Sequence, residues 1–310
     1  MFYYLMIFLA VIGIAANFAL GKAYQLRMPA TFGVVMRKTI PISLLSAFLF
    51  YCMGGKLAAA TSFTLWMAAL GALITVLVAL VSFFGYASGS IATFTLCQMV
   101  GGMLLPFLYG IFDGNRLTVC KCIGMGLMLF SVAFPLLGGG KPAAGDEKEG
   151  KRASGGARFA FLCVAIFFLN GIFSIVSYIH SNSASAAPDA TFLVIKSLMT
   201  AGLCLPLCLG YRLFTASGRQ DRPLGGGAHV QALLVPALLI LFMALADGLS
   251  YRLQLLSAAH LPAVALYPIL TGGTTIATAI AGRVFFREKL SPKTITSLLA
   301  AFCATILFMF

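Results

Sequence analysis

Acidic residues are scarce in this chain. Asp and Glu together number 8 in 310 residues, and charged residues of all kinds make up only 9%. A soluble globular domain carries about 25% charged residues, so a mostly water-facing surface is excluded. Histidine occurs only 3 times, at widely separated positions. With so few acids, no nucleophile–base motif and no glycine-rich phosphate loop, an integral membrane enzyme is disfavoured. The 8 cysteines fall in or beside apolar runs and lack paired zinc spacing. Cys204 and Cys208 share a helix face, but buried small hydrophobes account for them better than a metal does. Neither a metal nor a cofactor is expected. The opening "MFYYLMIFLAVIGIAANFAL" lacks the basic region and small-residue cleavage site of a signal peptide and reads as a retained first span. The net charge of +13 is clustered in short loops, which is the positive-inside signature of a membrane protein rather than a nucleic-acid patch.

Apolar residues dominate what is there, at 61% of the chain. Runs of about twenty recur, each long enough to cross a hydrocarbon core of about 30 Å as a helix. Helices satisfy their own backbone groups in lipid, whereas a barrel would show alternating segments of about ten residues. The expected fold is therefore an all-α polytopic membrane protein with ten transmembrane helices. They are placed near 2–23, 31–53, 62–84, 90–111, 117–137, 158–181, 190–214, 231–255, 261–284 and 291–310. One flexible charged linker, 138–157, separates a first five-helix repeat (1–137) from a second (158–310). Short motifs recur between these halves. "PATF" opens span 2 and "PDATF" span 7, while "IFDGNRLT" precedes span 5 and "VFFREKLS" span 10. An odd number of spans per half makes the repeats inverted, an arrangement typical of transporters with a midplane substrate site. If both termini lie on one side, that side carries Lys56, Arg116, Lys121 and Arg252, and the other carries sixteen basic residues. The bias places the termini outside and the linker in the cytoplasm. The expected location is a bacterial cytoplasmic membrane.

Polar residues inside the spans form stripes. Asp247, Ser250, Tyr251 and Gln254 share one face of span 8. Asn170, Ser174, Ser177, Tyr178 and Ser181 do so in span 6, and Tyr267, Thr271, Thr274, Thr275 and Thr278 in span 9. Shorter stripes hold Asn17 and Tyr24, Thr39 with Ser43 and Ser46, Thr95 and Gln98, and Lys196 and Thr200. Hydroxyls in membrane helices often bond their own backbone or join neighbouring helices, so the larger groups Asn170, Gln98 and Tyr251 point more strongly to a shared polar cavity. Spans 5 and 10 carry mainly small hydroxyls, cysteines and aliphatics and read as peripheral, facing lipid or a second copy in a homodimer. Pro106, Pro206, Pro236 and Pro268 are candidate kinks.

Together, the five-plus-five spans, "NFALGK" (17–22), Arg37 early in span 2 and "FFREKLS" before span 10 resemble the drug/metabolite transporter superfamily, EamA-like branch. Asn17, Phe18 and Lys22 match the family's first-helix pattern, and Arg37 its second-helix basic residue. Glu288 and Leu290 match the family's Gly-Glu-x-Leu turn, with Arg287 in place of the glycine and Asn115 where the first half would carry the acid. The resemblance implies alternating access by rocking of two halves. The essential first-helix glutamate of the small four-helix relatives is missing, because spans 1 and 6 hold no acid.

A charged side chain at the centre of a span costs roughly 2.5–3.5 kcal/mol even on a lenient scale, which makes Asp247 a functional candidate. On the transporter reading the substrate is a small polar or zwitterionic metabolite. Its site is expected to comprise Asn17, Gln98, Asn170, Tyr178, Lys196, Asp247, Tyr251, Tyr267 and Thr271, with Asp247 the candidate for proton coupling. The simpler reading of Asp247 is a structural ion pair with Lys196 or a hydrogen bond to Tyr251. The alternative function is a flippase or carrier of an amphipathic lipid, which predicts a polar stripe reaching a lipid-facing surface.

Overall fold

The computed structural model describes residues 2–112, 118–137, 152–216, 228–258, 260, 263–288 and 290–308. Among these, ten α-helices follow one another: α1 (Phe2–Arg27), α2 (Phe32–Cys52), α3 (Ser62–Ser88), α4 (Ile91–Phe112), α5 (Val119–Leu137), α6 (Arg152–Asn182), α7 (Asp189–Ala216), α8 (Ala228–Ala258), α9 (Ala263–Phe286) and α10 (Pro292–Leu307). Nine are long and apolar enough to cross a membrane, the mark of a multi-pass integral membrane protein. The exception is α10. It was expected over 291–310, but its described helix has 16 residues, too few at about 1.5 Å per residue to span the core alone. Several helices outrun the expected spans, with α1 reaching Arg27 and α3 reaching Ser88. An apolar run marks only the stretch in hydrocarbon, and the helix continues into the interface. α6 likewise begins at Arg152, inside the segment expected as linker, while 138–151 lie outside the described residues.

Local chemistry fixes several helix starts. The Thr61 hydroxyl accepts from Thr64 N at 3.1 Å to cap α3, and the Ser291 hydroxyl accepts from Thr294 N at 3.1 Å to cap α10, with Pro292 in its first turn. Consecutive helices reverse direction, so the connections alternate between two faces. The start of α1 and the end of α8 meet where Ser257 donates to Tyr3 O at 3.3 Å. The α2–α3 connection meets the start of α7 where Lys56 N donates to the Thr191 hydroxyl at 3.1 Å. We call this side, which holds the start of α1 and the end of α10, the terminal face, and the opposite side the linker face.

The packing interleaves the two halves of the chain. α1 packs on α8 and α9, α8 on α2, α2 on α7, α7 on α3, α3 on α6, α6 on α4, and α4 on α9. Followed in that order the contacts return to α1, so these helices close a ring. α5 and α10 pack on each other outside it, held by α4 and α9. Exchanging each helix of the first five for the one five places later reproduces all of these pairs. The expected peripheral place of spans 5 and 10 is what the packing shows.

A close backbone crossing joins α4 to α6. A Cβ added at Gly101 would collide with the Phe167 carbonyl oxygen, and one at Gly171 would lie 2.7 Å from the Gly101 carbonyl oxygen. Backbone meets backbone here, and no flexible side chain can yield. Gly101→Leu is therefore expected to destabilise the protein by about 2–3 kcal/mol, read as a lower melting temperature in detergent. Gly126→Ala, where a Cβ meets nothing within 4 Å, serves as the neutral control. Equal melting temperatures for the two variants would contradict the close crossing.

Candidate functional site

The polar face of α8 points into the ring. On this helix Leu238, Leu241, Leu245 and Leu249 are exposed on the outside, whereas Met243 and Ser250 are buried. At 100° per residue, Asp247 lies about 40° from Met243 and about 160° from both Leu245 and Leu249. Yet Asp247 is itself exposed. Its carboxylate faces away from lipid, so the space it borders is the interior of the ring. There it accepts a hydrogen bond from the Asn17 side-chain amide of α1 at 3.3 Å.

Lys196, two turns into α7, is the cation of the same interior. Its ammonium stands 4.9 Å from the centre of the Phe173 ring of α6, a cation–π contact. It is close enough to Asp247 for the two charges to interact. They do not form an ion pair, and in the ring α2 stands between α7 and α8. The ion pairs among the described residues are Lys22–Glu288 and His180–Asp189. Asp247 and Lys196 both lie toward the terminal-face ends of their helices.

The remaining expected site residues divide between the interior and helix joining. Gln98 is buried, and its side-chain oxygen has no partner among the described residues. Asn170 donates its amide to the Gln98 backbone carbonyl at 2.7 Å, which fastens α6 to α4. Tyr251 meets Phe50 edge-on at 5.5 Å, and Tyr178 meets Tyr109 edge-on at 6.1 Å. Thr271 is buried, and its carbonyl receives the Thr275 hydroxyl at 2.6 Å. Tyr267 lies on α9, but its side chain is outside the described residues.

Most hydroxyls of the stripes are spent locally. Thr39, Thr95, Ser174, Ser177, Thr200, Thr275 and Thr278 each donate to the carbonyl four residues back on their own helix. That is the back-bonding by which a hydroxyl becomes tolerable in lipid or in a helix interface. With those donors withdrawn, the groups still able to meet a solute include Asp247, Lys196, Asn17 and Gln98, together with the Ser46 and Thr274 hydroxyls, which have no partner among the described residues.

A second polar cluster stands at the linker face, and periodicity gave no hint of it. Glu288, in the α9–α10 connection, pairs with Lys22 of α1, accepts from the Ser90 hydroxyl at 2.6 Å, and accepts from Ile91 N at 3.1 and 3.2 Å. Lys22 also donates to Gly89 O at 3.3 Å. The signal available in sequence was the pair of motif positions, Lys22 in "NFALGK" and Glu288 in "FFREKLS", without any indication that they meet. Arg287 precedes the acid with φ at 53°, the left-handed region that glycine fills at no steric cost. This is the place where the resembling family carries glycine. The turn is closed by Glu288 N donating to Gly282 O at 3.1 Å.

In comparisons with known proteins, no family model and no curated protein matches the chain.

Replacing Arg287 by glycine removes the left-handed strain and leaves the Glu288 contacts in place. Arg287→Gly is therefore expected to raise stability by about 1 kcal/mol, seen as a higher melting temperature. A lower one would mean that the arginine side chain itself holds this turn.

Proposed function

We propose that this protein is a secondary transporter that moves small polar or zwitterionic metabolites by alternating access, as the resemblance to EamA-like drug/metabolite transporters implies. The observation that carries the reading is the pair Asp247 and Lys196. One carboxylate and one ammonium face a common interior from non-adjacent helices without neutralising each other. Opposite charges that face one interior without touching leave each other's partner positions open, and a zwitterion lying between them would complete both. Asn17 supports the carboxylate, and the free Gln98 side-chain oxygen offers an acceptor deeper along the path. The exchange symmetry of the packing supports two inverted five-helix halves that rock against each other, with α5 and α10 left toward lipid or a second copy. A bacterial cytoplasmic membrane, with the basic linker face inside, completes the proposal. Asp247 is its candidate for proton coupling.

The lipid-carrier reading draws less support. Two surface grooves, of about 500 Å³ between α5 and α6 and about 370 Å³ between α3 and α7, have apolar linings such as Leu129, Val164 and Phe168 or Leu73, Met199 and Leu203. Neither offers a polar track for a headgroup.

A thermal-shift screen of the purified protein against amino acids, nucleosides, sugars and cationic drugs is expected to find a zwitterion that raises the melting temperature. In proteoliposomes given that solute, Asp247→Asn should lower uptake at least about tenfold, the loss of about 1.4 kcal/mol of coupling or binding, with the fold intact. Lys196→Ala should raise the apparent KM by a similar factor. Wild-type uptake and pH dependence in the Asp247→Asn protein would remove the acid from the mechanism.

A further inference from the structure

We propose that Glu288 is a latch that holds the linker-face end of the pathway shut. The inference rests on the transporter reading. The latch joins parts of the chain that must separate if the halves rock. Lys22 belongs to α1, Ser90 and Ile91 to the start of α4, and Glu288 to the α9–α10 connection of the second half. Three donors converge on one carboxylate: the Lys22 ammonium, the Ser90 hydroxyl at 2.6 Å, and Ile91 N, shared between the two oxygens at 3.1 and 3.2 Å. The Ile91 amide opens α4, so the carboxylate also meets the positive end of that helix. The Lys22 and Glu288 side chains are 9% and 11% exposed, so little water competes with the pair.

Apolar packing seals the same end beneath the latch. Phe18, Tyr86, Ile91 and Phe94 form a buried cluster against which Phe286 packs, and the Lys22 ammonium lies 5.4 Å from the Phe286 ring centre. The ion pair set against this plug makes its closure specific rather than merely greasy.

The symmetry mates of the latch are neutral. Aligning Thr31 of "PATF" with Thr191 of "PDATF" puts Asn182 where Lys22 stands, and aligning "IFDGNRLT" with "VFFREKLS" puts Asn115 where Glu288 stands. Asn182 donates only within its own helix, to Tyr178 O at 2.9 Å. Both charges of the pair are thus absent from the other end. At the terminal face the described ion pair, His180–Asp189, joins neighbouring helices of one half, so with the latch made the linker face is the end held closed by an ion pair between the halves. The exposure of Asp247, in the terminal-face half of α8, accords with this.

The test is amide hydrogen exchange of the full chain in detergent or nanodiscs, comparing wild type, Glu288→Gln and Lys22→Met. Loss of the latch is expected to speed exchange about tenfold or more in 17–27 and 86–95, since local opening sets the rate there. The terminal-face segments 189–200 and 243–251 should slow at the same time, because one end closes as the other opens. Faster exchange confined to 86–95, with the terminal face unchanged, would make the pair a local brace and overturn the proposal. So would wild-type exchange in either variant. The two substitutions break the pair from opposite partners, so failure of one to fold leaves the other to decide. Exchange needs no substrate: reciprocal changes would uphold the latch even if no screened solute were transported, and transport without them would sink the latch alone.

Discussion

The whole arrangement depends on one constraint, which is that charge cannot face hydrocarbon. A chain that spans the membrane so many times must either avoid ionisable side chains within its helices or gather them where lipid does not reach. This one does both. Acids are few, and Asp247 and Glu288 are turned away from lipid, one into the ring and one into the seam at its linker face. The closed circuit of helices follows from the same demand, since each polar stripe is hidden only if helices stand on both sides of it.

Within that ring the two acids answer the cost of burial differently. Glu288 is satisfied by a lysine, a hydroxyl and a helix N-terminus, three donors that engage both of its oxygens. Asp247 receives one amide hydrogen bond from Asn17 and has its cation at a distance. A satisfied carboxylate stabilises a structure, and an unsatisfied one waits for a partner. On the proposed transporter reading the contrast fits closure at one end and recognition at the other, with the unbonded Gln98 oxygen between them.

Much of this was legible in the sequence. The apolar runs located every helix, and the poverty of polar groups in spans 5 and 10 foretold their place outside the ring. The i, i+3, i+4 spacing from Asp247 identified the inward face of α8, and charge alone suggested Lys196 as its counterpart. Three things could not be read. Spacing cannot distinguish a hydroxyl that lines a cavity from one that bonds its own helix, as Ser174, Ser177, Thr275 and Thr278 do. Lys22 and Glu288 meet only through the interleaving of halves far apart in the chain, which no local pattern encodes. The left-handed turn at Arg287 was hidden because the residue there is not the glycine that normally announces one.

The central claim is that Asp247 borders an interior reached by water from the terminal face and sealed from the linker face. Cysteine accessibility tests it most directly. In oriented vesicles, Asp247→Cys is placed in a background where Cys52, Cys120, Cys122 and Cys303 are replaced by serine, and treated with a membrane-impermeant thiol reagent from each side. Labelling from the terminal face together with protection from the linker face is the predicted result. Labelling only by a lipid-soluble reagent, or none at all, would contradict it.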